Sequence, residues 1–167
     1  MRAVVRAWVT GLAMAGGLAA AAQSPLFQEP RHAGPKTEAV AYLYPEQVSL
    51  PAGKPGAVAL HFRIAPGLHI NSHNPTDKLL IPTTLSIPDS SGVRLESASY
   101  PAGADYVLPA DPKTKLNVYS GEFTIDVRLI ATAGDHLVEA RLRYQACDQT
   151  QCMPPKTITV PIDVVAK

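Results

Sequence analysis

Four stretches of this chain alternate apolar and polar residues with a period of two, a pattern that suits strands and not helices. Val58, Leu60, Phe62 and Ile64 share one face of the stretch from Ala57 to Ile64. Phe123, Ile125, Val127 and Leu129 do the same, with Thr124, Asp126 and Arg128 opposite. Val138, Ala140, Leu142 and Tyr144 form a third such face, and Ile158, Val160, Ile162 and Val164 a fourth. Successive strand side chains point to opposite faces, so each stretch offers one apolar side to a core. Weaker strand candidates are Tyr42 to Leu50, Leu68 to Ser72, Thr83 to Ile87 and Val93 to Tyr100. Turn signals separate them at Pro51-Ala52-Gly53, Pro66-Gly67, Pro88 to Gly92, Pro101-Ala102-Gly103 and Ala133-Gly134-Asp135. About eight short strands at this spacing predict an all-β fold, an antiparallel β-sandwich. Pro101 to Asn117 reads as the longest irregular stretch, either a functional or mobile loop or a solvated crossover.

The first residues read as an export signal rather than part of the domain. Arg2 and Arg6 give a positive start, Val9 to Ala22 is apolar, and Ala20-Ala21-Ala22 supplies the small residues of a cleavage site. That apolar run has 14 residues. A bilayer span needs about 20, which disfavours the rival reading of a retained anchor. Residues 1–22 are thus expected to be a signal peptide, 23–38 a flexible leader rich in Pro, Gln, Glu and Gly, and 39–167 the domain. Lys and Arg number 15 against 14 Asp and Glu, and neither sign clusters, so no nucleic-acid partner is expected.

The two cysteines, Cys147 and Cys152, enclose four residues between two strand candidates, which suits a hairpin with facing cysteines. Facing hairpin residues lie within reach of a disulfide. Parity counted from the inward face of Val138 to Tyr144 sends Cys147 outward, where a partner could reach it. If Cys147 faces Cys152 and pairing continued unbroken, Leu142 would lie opposite Thr157. A one-residue bulge near Pro154-Pro155 would restore inward against inward, and prolines tolerate bulges because they lack the N–H; the alternative is that the final strand pairs elsewhere. On the residues alone, three roles stay open: a stabilising staple, a redox-active pair and a metal-ligating pair. As a staple it is modest. Closing a loop of about six residues gives roughly 2 kcal/mol, against about 4.7 for a hundred. No helix start is evident to activate a thiolate, and the Asp148 carboxylate opposes one, so the pair fits a passive carrier attacked by an activated partner thiol.

The segment from Tyr144 through Cys147-Asp148-Gln149-Thr150-Gln151-Cys152 to Met153-Pro154-Pro155 resembles the N-terminal periplasmic domain of the DsbD thiol:disulfide interchange proteins. That family carries Tyr-Gln-x-Cys followed shortly by Cys-x-Pro-Pro. Ile64 to Ser72 resembles its Pro-Gly-aromatic-His segment, and Val118 to Ile125 the strand after its cap segment. The resemblance implies an immunoglobulin-like sandwich that carries electrons in the periplasm and takes part in disulfide reduction and cytochrome c maturation. The implied partners are thioredoxin-like redox proteins, a membrane-embedded thiol reductase and periplasmic disulfide-bearing acceptors. No cofactor is implied, and the domain is expected to be a monomer. By the same resemblance Cys147 and Cys152 are the redox couple, with Cys147 forming the mixed disulfide and Cys152 resolving it. His69, Asn71, Tyr144 and Asp148 would line the site. Taken alone, His69 reads as a surface strand residue. DsbD proteins usually continue into membrane and thioredoxin-like domains, whereas this chain stops at Lys167, so the relay is expected to use separate partners. The counterpart of the family's cap, around Ala110 to Lys115, offers Asp111 and Pro112 but no aromatic; Tyr106 is the nearest aromatic candidate.

Two other readings weigh less. A copper site built from the cysteines, Met153 and a histidine has soft-ligand chemistry but nothing to fix its geometry. His69 and His73, four apart on one strand, would stand about 13 Å apart and could not chelate together. No metal is therefore expected. The remaining alternative is a secreted immunoglobulin-like binding or assembly module whose disulfide is purely structural.

Overall fold

The long alternating stretches fold as expected, and their buried faces meet in one apolar core. In this computed structural model the described residues are 38–43, 47–88, 92–109 and 111–167, all within the compact unit Lys36–Lys167. The expected signal peptide and nearly all of the leader lie outside the described residues.

Three four-stranded sheets form among them. The first has the order β1 (Val40–Leu43), β3 (Pro55–Ile64), β9 (Glu122–Ala131), β6 (Val93–Ser99). The second has β2 (Val48–Leu50), β12 (Lys156–Ala166), β10 (Gly134–Tyr144), β5 (Thr84–Ser86). Pairing is antiparallel throughout except between β12 and β2. Inward residues stand opposite inward residues: Leu60 against Ile125 on the first sheet, and Val138 against Ile162 and Ala140 against Val160 on the second. These cross-strand pairs lock the register, because a slip by one residue would turn every apolar side chain to water.

The third sheet has β11 (Ala146–Cys147), β4 (His69–Asn71), β8 (Asp111–Tyr119), β7 (Ala104–Leu108). Ile70, Tyr119 and Ala146 join the same core as the other two sheets. A tight turn at Pro66-Gly67 delivers β4: Leu68 N–H donates to the Ala65 carbonyl, and Gly67 takes φ +79°. A proline then a positive-φ glycine is the signature of a type II turn.

Pro101 to Asn117 corrects the expectation of an irregular stretch, since most of it is the β7–β8 hairpin. Its distal residues Asp111 to Lys115 are all exposed, so no apolar face marks them as a strand. Pro112 is tolerated there because β8 bonds to β4 only further on, at Val118 and Tyr119.

Leu142 is fully buried, between Leu85 on β5 and Ile158 on β12. Leu142→Ala should cost about 2–5 kcal/mol, read as a lowered urea midpoint at unchanged m-value.

Candidate functional site

The β10–β12 ladder runs from Gly134↔Ala166 to Tyr144↔Lys156 and stops there. Beyond it, Gln145 lies outside any strand, and Ala146 and Cys147 pair instead with Ile70 and His69 of β4. The chain thus changes sheets at Gln145. One isolated bridge then sets Cys147 opposite Cys152. Gln145 and Ala146 separate that bridge from the ladder on one side, and Met153, Pro154 and Pro155 on the other. The extra residue is the bulge expected at the prolines.

Cys147 and Cys152 are disulfide-bonded, with Cα atoms 3.9 Å apart. Their surroundings differ sharply. Cys147 is 1% exposed, whereas Cys152 is exposed to solvent. The outward placement of Cys147 is therefore corrected: parity does not carry across a change of sheet, and in the third sheet Ala146 and Cys147 are both buried. The four-residue loop closes on itself. Asp148 N–H donates to the Gln151 carbonyl at 2.9 Å. The Asp148 Oδ1 accepts from Thr150 N, Thr150 Oγ1 and Gln151 N at 2.7, 2.8 and 2.8 Å. Those bonds, the Thr150 backbone bond first, hold the Asp148 carboxyl below its usual range.

Two side-chain amides tie this hairpin to its neighbours. Asn71, fully buried, donates from Nδ2 to the Ile81 carbonyl at 3.1 Å and to Gln145 Oε1 at 3.3 Å. Gln145 Nε2 donates in turn to the Met153 carbonyl at 3.2 Å, and Met153 N–H donates to the Ala146 carbonyl at 2.8 Å. The Asn71 carbonyl accepts from Thr83 Oγ1 at 2.6 Å. The bridging role of Gln145 was not visible in the sequence; its place directly before Ala146-Cys147 was the only signal.

His69 is 3% exposed, so the surface reading of this histidine is corrected. Its ring packs against Tyr106, centroids 4.1 Å apart, and its Nε2 is buried without a hydrogen-bond partner. Desolvation lowers its pKa below 6.5, partly offset by the Asp148 charge. Tyr144 lies in the main core, where burial, then the Glu38 carboxylate, pushes its phenol up. Asp111 and Pro112 sit exposed toward the tip of the β7–β8 hairpin, where Asp111 accepts from Thr114 Oγ1 at 2.6 Å and Lys113 N at 3.2 Å. Of the three cap candidates, the structure brings Tyr106 onto His69. His73 lies beyond the end of β4, so the two histidines do not share a strand; its ring stacks on Tyr100 at 3.7 Å.

The domain is thus a β-sandwich that ends in a hairpin disulfide, with one cysteine buried and one presented. Residues 39–163 match the family described as "Thiol:disulfide interchange protein DsbD, N-terminal", and the chain belongs to that family. Its fold is the immunoglobulin-like sandwich of the family, and its class of chemistry is thiol–disulfide interchange. Among solved structures, the chain is similar to the Neisseria meningitidis DsbD n-terminal domain in the reduced form. The two are 19% identical over 66% of this chain and 79% of that one, with a TM-score of 0.45. No curated protein matches the chain.

Two outcomes are expected here. Gln145→Ala removes the bonds to Asn71 and Met153 and should cost about 1–3 kcal/mol, with faster hydrogen exchange at Met153 N–H. Because the fold disfavours a charged His69, the unfolded chain takes up this proton first as pH falls below 6.5. The stability contributed by neutral His69 is thus complete above that pH and is lost as pH falls toward the lower folded value. Urea midpoints should decline as pH falls below 6.5 in the wild type and less so in His69→Phe.

Proposed function

We propose that this protein is a monomeric periplasmic carrier that passes reducing equivalents through the Cys147–Cys152 pair to exported disulfide-bearing proteins. It acts as a disulfide-reductase-type component. The observation that carries this reading is the presented disulfide inside the matched family region, with Cys152 exposed and Cys147 buried. Donors would be thioredoxin-like proteins recharged by a membrane-embedded thiol reductase, and acceptors would include proteins of cytochrome c maturation. Export through the signal at residues 1–22 belongs to the same proposal.

The exposure contrast supports reversing the roles assigned from sequence. A donor thiolate attacks Cys152 Sγ, the Cys147 sulfur leaves, and a second donor thiol releases the reduced carrier. In the forward transfer, Cys152 thiolate attacks an acceptor disulfide and displaces one acceptor sulfur, which takes up a proton. Cys147 then attacks Cys152 Sγ, re-forming the disulfide and releasing the second acceptor thiol. Two electrons and two protons pass to the acceptor, and the carrier ends oxidised. No helix is present among the described residues to lower either thiol's pKa, which supports a carrier that relies on its partner for activation.

The burial of Cys147 also favours a second reading, an inert staple in a binding module. Trapping separates the two. Cys147→Ser should accumulate a discrete mixed disulfide with a thioredoxin-like protein through Cys152, and Cys152→Ser should not. The pair's reduction potential should lie above about −300 mV; a value below that, with no trapped species, would leave only the staple.

A further inference from the structure

The carrier reading leaves one chemical difficulty. Cys147 has to attack as a thiolate from a position that is 1% exposed, and burial disfavours the charged form of a thiol. Its cross-strand neighbour is His69. Directly opposed residues of an antiparallel pair place their Cβ atoms about 5 Å apart on the same face. His69 is itself buried, and its Nε2 has no partner. A buried ring nitrogen without a hydrogen bond is uncommon and costly. In the disulfide form the Cys147 sulfur has no proton to offer. On reduction it gains an S–H, so a donor appears on the residue opposite His69 in only one redox state.

We infer that His69 is the acid–base partner of Cys147, accepting the thiol proton as that sulfur resolves the mixed disulfide on Cys152 and returning it when Cys147 is the leaving sulfur. The inference rests on the carrier reading. In the resolving step the Cys147 S–H bond breaks and its proton passes to Nε2. The electron pair left on sulfur forms the bond to Cys152 Sγ, and the bond between Cys152 and the acceptor breaks, leaving an acceptor thiolate that is protonated from solvent. The imidazolium then gives up its proton, restoring neutral His69.

The groups facing His69 suit this use. From the hairpin loop, the Asp148 carboxylate favours a transient imidazolium, while burial keeps the ring neutral at rest. From β7, the Tyr106 ring covers the imidazole. Asp105, next to Tyr106, points to the opposite face and pairs with Lys115 at 3.4 Å. From β8, Tyr119 stands opposite Ile70 and so points to the other face, its hydroxyl accepting from His73 N and donating to the Pro101 carbonyl.

The test uses the reduced full-length protein and a symmetrical aromatic disulfide that releases a coloured thiol at each attack. The first release reports Cys152 and the second reports resolution by Cys147. In the wild type the second rate should rise as His69 loses its proton and level off by neutral pH. His69→Phe and His69→Gln should leave the first release within about twofold. They should slow the second about tenfold or more at neutral pH, and move its rise to the ordinary thiol range near pH 8–9. A second rate within about twofold of wild type, or a slowing with an unshifted pH profile, would overturn the inference and leave His69 a packing residue. Should neither variant fold, a wild-type profile with no rise below neutral pH does the same. Failure of the carrier reading is seen separately, as Cys147→Ser protein that traps no mixed disulfide with a thioredoxin-like protein while the wild type still reacts with the aromatic probe.

Discussion

The ladder between β10 and β12 ends at Tyr144 and Lys156, where the next two residues on the β12 side are Pro155 and Pro154. Neither carries an N–H; a single proline, Pro161, is tolerated within the ladder, but two in succession remove the donor on both sides of the strand, so a bond to β10 is lost. The other strand, still apolar at Ala146 and Cys147, needs a new partner for its backbone and finds β4. Everything distinctive about the site follows. The third sheet gains its edge strand, the register slips by one residue, and the cysteines come opposite each other at the end of the second sheet rather than along it.

The main sandwich could be read from sequence because it depends on one rule applied within one sheet. Val58 to Ile64, Phe123 to Leu129 and Val138 to Tyr144 bury alternate residues as their patterns say. The same rule failed at Cys147, whose face is set by a change of sheet that no spacing announces. The bulge at Pro154-Pro155 was legible because misaligned faces would have been costly and proline chemistry offered the remedy. The β7–β8 hairpin was not legible, since residues exposed on both faces have no reason to alternate. His69 lay beyond sequence for a third reason. Its burial depends on Tyr106, brought over it by a hairpin whose pairing is long-range.

The two cysteines are held in unlike surroundings. One sulfur is open to solvent, while the buried one sits among fixed groups: His69 opposite, Asn71 and Gln145 bonded alongside. A staple would need neither the exposure of Cys152 nor the orphaned nitrogen of His69. An exchange site has use for both, because one sulfur must be found by diffusion and the other must act without water.

The loop between the cysteines is closed by bonds made inside itself, from the Asp148 carboxylate to Thr150 and Gln151. Gln149, Thr150 and Gln151 are exposed and take no part in the core. Their identities are therefore only loosely tied to folding. So long as the Asp148 carboxylate and the four-residue length persist, the outer side chains can change at little cost to the sandwich. Under the carrier reading proposed above, the loop could then be refitted to a different partner without rebuilding the fold.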